Sequence, residues 1–331
     1  MTISRNPFIL FGTALIFVVS TSFAMADTPQ QLRREWPRTD FSRATIDLAE
    51  IMSGGPPKDG IPSIDDPQFT PVGKIRGLAP EEPVLSVILG KDARAYPLRV
   101  MIWHEIVNDV VAGIPVTVTY CPLCNTGIVF DRRLDGRTLD FGTTGKLRHS
   151  DLVMYDRQTE SWWQQYGGEA IVGELAGRSL KILPSRLESF KSFRERAPEG
   201  RVLVPNNPRL RAYGSNPYVG YDQAPRPFLF TGDLPDKVPA MIRVVAVGKQ
   251  AWTLPLVREK GVIKAGDLHI SWRPGQVSAL DTADITRGTD VGNVVVQRRG
   301  KDVPYTVTFA FAFFAFEPDG ALHTETGLVR R

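Results

Sequence analysis

The sequence predicts a mainly β, antiparallel, single-domain protein with a few short helices; an α+β arrangement is the alternative. From residue 84 onward the apolar residues fall in short runs rich in Val, Thr and aromatics, the texture of half-buried strands. Turn signals such as Gly90-Lys91-Asp92 and Asp135-Gly136 separate these runs. Only one stretch, 186–196, carries a clear helical spacing, with Leu187, Phe190 and Phe193 three apart. A chain of 331 residues, 42% hydrophobic and 23% charged, can bury a substantial core.

Residues 1–26 read as a Sec-type signal peptide. Arg5 supplies a positive start, 7–19 is almost wholly apolar, and Ala24-Met25-Ala26 offers a cleavage site before Asp27. That apolar run is too short to span a bilayer as a helix. Export to the periplasm or outside the cell is therefore expected, with no transmembrane span in the mature chain. Residues 27–83 form an N-terminal helix followed by a proline- and glycine-rich arm. In that reading Asp40 caps a helix whose face carries Phe41, Ile46, Leu48 and Ile51, and Gly54-Gly55-Pro56-Pro57 ends it.

The β-rich main domain occupies 84–331. Strands are expected at 84–89, 93–98, 115–120, 127–132 and 137–141, with the last two joined by the Asp135-Gly136 turn. A further strand–turn–strand covers 152–166, its turn being 156–160. Later strands are expected at 241–247, 251–256, 268–272 and 293–297. Residues 305–316, with Phe309, Phe311, Phe313, Phe314 and Phe316, read as a strand buried on both faces. No fixed-period repeat of the solenoid kind is visible.

Both cysteines of the chain fall in one motif, Tyr120-Cys121-Pro122-Leu123-Cys124-Asn125. This excludes a disulfide scaffold. It concentrates the thiol chemistry in one knuckle, whose spacing lets both sulfurs face one soft ion or close on each other. A strand rather than a helix follows, so the helix dipole that activates thioredoxin-like thiols is missing, and a metal knuckle is favoured. His104 is the foremost further ligand, because it precedes the strand delivering Cys121; Glu105 or Asp109 could hold its second nitrogen. Met154 and His149 are secondary candidates for a fourth contact. The ion would be copper before zinc. Asp156-Arg157-Gln158-Thr159-Glu160 with Trp162 and Trp163 reads as a hairpin with inward indoles rather than an acid–base loop.

Ala95-Tyr96-Pro97-Leu98, Trp103-His104-Glu105-Ile106-Val107-Asn108-Asp109, the cysteine motif and Met154-Tyr155-Asp156-Arg157 together resemble the prokaryotic family catalogued as domain of unknown function 3179. The resemblance implies an exported protein in which these motifs form one domain, and it implies no mechanism. Family members usually have a small residue after the second cysteine, where this chain has Asn125, a residue that tolerates a left-handed turn.

Three functions fit the sequence. The first is an exported protein that binds copper or zinc through Cys121, Cys124 and His104, for metal handling or sensing. The second is a thiol–disulfide oxidoreductase in which Cys121 attacks and Cys124 resolves. The third is a non-catalytic binding protein with a structural disulfide. The first two imply a metal-transfer or redox protein partner. A net charge of +4, spread along the chain, gives no footprint for nucleic acid. No phosphate loop, dinucleotide fingerprint or nucleophile elbow appears, so no nucleotide cofactor is expected.

Overall fold

The computed structural model describes residues 28–331, so the expected signal peptide lies outside the described residues. The chain is β-rich, its sheets are built mainly of antiparallel pairs, and the five α-helices among the described residues are of seven residues each. Among the described residues no helix is long and apolar enough to cross a membrane.

The N-terminal helix lies earlier than the sequence suggested. It spans Pro29–Glu35, capped by Thr28 and Gln31 in a reciprocal capping box. Asp40 instead accepts hydrogen bonds from Ser42, and Asp47 caps a single 3₁₀ turn, Leu48–Glu50. These short polar side chains bind nearby backbone and so compete with a continuous helix. Trp36 and Phe41 nevertheless pack edge-on against Trp162, at 5.3 and 5.2 Å between rings. The proline-rich segment is tied down as well: Ile64 pairs with Ile106 and Asn108, and Gln68–Pro71 pairs with Arg201–Val204.

Three further expectations change. Residues 186–196 divide into a strand, Arg186–Ser189, and a helix, Phe190–Arg196. The phenylalanine-rich segment is a strand only over Thr306–Phe309 and then a helix, Ala310–Phe316. Alanines at 310, 312 and 315 favour helix, and apolar runs look alike in a buried strand and a buried helix. Residues 251–256 likewise turn helical at Leu254, where Thr253 caps and Pro255 opens the helix.

Behind these changes is an architecture used twice. The first module runs through the hairpin Pro83–Leu89/Asp92–Pro97, the helix Leu98–His104 and the strands Ile106–Val111, Ile114–Cys121 and Thr126–Asp131. It closes with Arg186–Ser189, the helix Phe190–Arg196 and Arg201–Val204. The second repeats the order as Arg243–Val247/Gln250–Thr253, Leu254–Lys260, Val262–Ala265, Leu268–Arg273 and Asn293–Arg298. It closes with Thr306–Phe309, Ala310–Phe316 and Ala321–Thr324.

The sheets match strand for strand. Arg201–Val204 runs parallel to Asp92–Pro97, and Ala321–Thr324 runs parallel to Gln250–Thr253, in sheets that otherwise pair antiparallel. Gly200 and Gly320 do the same work: a Cβ would lie 2.8 Å from the Phe193 ring in one and 2.5 Å from the Phe313 ring in the other. The modules also interlock. Thr308 and Phe309 of the second bind the carbonyl of Cys124 in the first, and Ser189 of the first binds Asn293 of the second. The largest core cluster draws side chains from both.

The first module carries an insertion that the second lacks. Phe141–Arg148, Asp151–Asp156, Trp162–Gln164 and Ala170–Val172 form a sheet with Ile51–Ser53. One hairpin turn of that sheet lies against the cysteines.

Candidate functional site

The cysteine knuckle is a hairpin turn. Ile114–Cys121 and Thr126–Asp131 pair in register down to Cys121 opposite Thr126, which leaves Pro122 to Asn125 as the connection. Asn125 takes φ 54°, the left-handed conformation expected of it, and the Tyr120 hydroxyl donates to its side-chain oxygen at 3.3 Å. From the other side comes the turn between Phe141–Arg148 and Asp151–Asp156, where His149 and Ser150 take φ 53° and 64°. Positive φ at both central residues gives this two-residue hairpin the twist of its strands.

That turn brings a carboxylate to the thiols. The Cys121 and Cys124 sulfurs and a carboxylate oxygen of Asp151 all lie within 4.8 Å of one another, and all three residues are buried. The cysteines are unbridged. Cys124 Sγ donates to the Ser150 carbonyl at 3.3 Å. Asp151 Oδ2 accepts from Gln164 Nε2 at 2.6 Å and from the Tyr166 backbone N–H at 2.8 Å. These bonds fix the carboxylate while leaving its other oxygen towards Thr126, 3.4 Å away.

Burial dominates the electrostatics. It pushes the Cys121 thiol up and the Cys124 thiol well up, because a thiolate there would lose its hydration. It raises Asp151 to about 6 against the pull of its hydrogen bonds. Glu105 rises further, to about 8, through burial and the neighbouring charge of Asp151. Four acidic groups thus share one desolvated region.

Glu105 is the least comfortable of them. It caps the helix Leu98–His104 with φ 60° and ψ −31°, outside the ordinary left-handed basin. The equivalent cap in the second module is Gly261, at φ 67° and ψ −45°. Its carboxyl accepts no hydrogen bond from any described residue, though the residue is 7% exposed. It lines a cavity of about 390 Å³ whose wall also includes Cys121, Pro122, Leu123, Leu152 and Phe228. Cys124, fully buried, lies behind that wall.

The other expected ligands are seated as follows. His104 is held by both ring nitrogens: Nδ1 lies 2.7 Å from the Pro62 carbonyl and Nε2 lies 2.8 Å from the Tyr213 hydroxyl. It fastens the proline-rich arm and the loop carrying Tyr213, and it is outside the Cys121–Cys124–Asp151 group. Neither Glu105 nor Asp109 holds its imidazole; Asp109 takes Arg94 and the Tyr96 hydroxyl. His149 turns towards Glu50, at 3.3 Å, and against the Phe316 ring. Met154 is fully buried in the main core, opposite Thr143 and Trp163. The Asp156–Glu160 segment is the expected hairpin, with Asp156 binding Thr159 and the Trp163 indole.

Asp151 and the prominence of Glu105 were missed from sequence. Asp151 stands in His149-Ser150-Asp151, 27 residues beyond Cys124, and arrives through the inserted sheet. Glu105 had one available signal, a charged residue where a helix ends without glycine.

No curated protein and no solved structure matches the chain. The sequence model of one family does, over residues 58–320, which take in the first module, all but the closing strand of the second, and every residue of the cluster. The chain therefore belongs to the family described as protein of unknown function (DUF3179).

Proposed function

We propose that the protein binds one metal ion through Cys121, Cys124 and Asp151, and handles or senses that metal outside the cytoplasm. The observation that carries this reading is the convergence of two thiols and a carboxylate within 4.8 Å in a buried site. Each group alone is held towards its neutral form by burial. A cation offsets all three desolvation costs together and takes the place of the protons. Two sulfurs alone would suit Cu(I), whereas adding a carboxylate oxygen moves the preference towards zinc, which accepts both donor types and leaves a fourth position open. The export expected from residues 1–26 means that the ion is loaded after translocation.

The test is elemental analysis of the mature protein after reduction and reconstitution with zinc or Cu(I). One equivalent of metal is expected, falling to a small fraction in Cys121→Ser. Absence of both metals after reconstitution would sink the proposal.

The cavity favours a second reading, in which the pair exchanges thiols and disulfides with a small molecule. Cys121 lines the cavity and Cys124 lies behind it, the order an attacking and a resolving thiol require. Cys121 thiolate would displace one thiol from a substrate disulfide. Cys124 would then release the second, closing the protein disulfide and leaving a dithiol partner to reduce it again. Cys124→Ala should trap the mixed disulfide. The raised thiol pKa values work against this reading, since the thiolate is the nucleophile.

A further inference from the structure

Glu105 pays for its position twice. Its backbone adopts a conformation for which the second module uses Gly261, a strained one for a residue with a Cβ. Its carboxyl, largely taken out of water, lines the cavity and meets no hydrogen-bond donor among the described residues, a further cost to any polar group. Neither cost is explained by packing, because a glycine would serve the helix end better.

The surroundings say what is wanting. Glu105 lies within charge-interaction range of Asp151 and Cys121 and lines the same cavity as Cys121, so the region is rich in acid. Lys146 also lines the cavity, but its ammonium is engaged with Glu35 at 2.6 Å. The remaining wall is largely apolar, including Ile61, Pro122, Leu123, Leu147 and Leu152. At about 390 Å³ the space lies within the range of small-molecule sites. A metal on two thiolates and a carboxylate would leave the cluster with an excess of negative charge, so the same need holds with or without the ion.

We infer that this cavity binds a small, mainly apolar molecule carrying a protonated amine, and that Glu105 receives the ammonium. The ammonium supplies both the missing donors and the missing charge, and the apolar body displaces water from the wall. The inference does not depend on which chemistry the cysteines perform.

The test uses the whole mature protein at pH 9, above the value of about 8 to which burial raises Glu105 and below that of an alkylammonium, with three probes of one size: phenethylamine, 2-phenylethanol and 3-phenylpropionate. Calorimetry or saturation-transfer NMR should find the amine bound about tenfold or more tightly than the other two, as a charge-assisted hydrogen bond allows. In Glu105→Gln the amine should fall to the level of the alcohol. Glu105→Gly provides a second variant in which the helix end is relaxed, and it should lose the preference too. Equal binding of all three probes, or a preference that survives in either variant, would overturn the inference. Metal content measured on the same samples reports on the metal proposal separately: protein that takes up neither zinc nor Cu(I) on reconstitution yet still prefers the amine sinks that proposal and leaves this one standing.

Discussion

Glu105 and Asp151 make opposite use of their backbones. Asp151 follows a turn of two left-handed residues that costs little in a hairpin, whereas Glu105 itself occupies the unusual angle. Glu105→Gly should therefore raise the stability of the ligand-free protein, by about 1–2 kcal/mol, while removing amine binding. A fall in denaturation midpoint would count against strain at this residue. The two carboxyls also set a pH dependence. Folding raises both, from 3.8 to about 6 and from 4.5 to about 8, so the native state holds protons that the unfolded chain has released. Stability from these groups is fully present below pH 4 and is lost as pH rises through 6 and then 8. Metal-free protein should melt several degrees lower at pH 8 than at pH 5, and Glu105→Gln should flatten the upper part of that slope. A melting temperature that rises over this interval would contradict the burial of these groups.

At the scale of elements, the knuckle and its neighbours show what local sequence could and could not convey. The strands on either side of the knuckle and the Asp135-Gly136 turn were legible, because alternation and turn chemistry act over a few residues, but pairing was not: that turn joins only Arg133–Leu134 to Arg137–Thr138, while Thr126–Asp131 pairs back with Ile114–Cys121. Residues 254–256 and 310–316 are helical where strands were expected: the second is an apolar run buried almost throughout, which hides its period, and the first is only the opening turn of a helix whose exposed second half, Arg258-Glu259-Lys260, carries the amphipathic signal. The third donor, Asp151, was illegible for a different reason. Its approach is decided by where an inserted sheet packs, which no four-residue pattern encodes. The paired glycines offer a test of the repeated design. Gly200→Ala and Gly320→Ala should each destabilise by roughly 1–3 kcal/mol, since a Cβ would press on a buried Phe ring and a backbone carbonyl in both places. A large effect at one and none at the other would separate the two modules in their packing.

Over the whole molecule, the two modules share a core and exchange hydrogen bonds at the knuckle. Thr308 Oγ1 donates to the Cys124 carbonyl at 2.8 Å, so the second module braces the turn that carries the thiols. Such coupling predicts one cooperative thermal transition, with equal calorimetric and van't Hoff enthalpies. Two resolved transitions would show that the modules unfold apart. The duplication also clarifies what is particular to the first half. The second module lacks the cysteines, the inserted sheet and a charged cap at its first helix. All three additions meet at one place, and a metal is the simplest ligand that two thiols and a carboxylate there would hold together. The most direct test is metal content and free-thiol count on one sample, purified without chelators. The account predicts one equivalent of zinc or copper, with two thiols that react once the metal is removed. A metal-free protein with both thiols readily titrated, or with both locked in a disulfide, would contradict it.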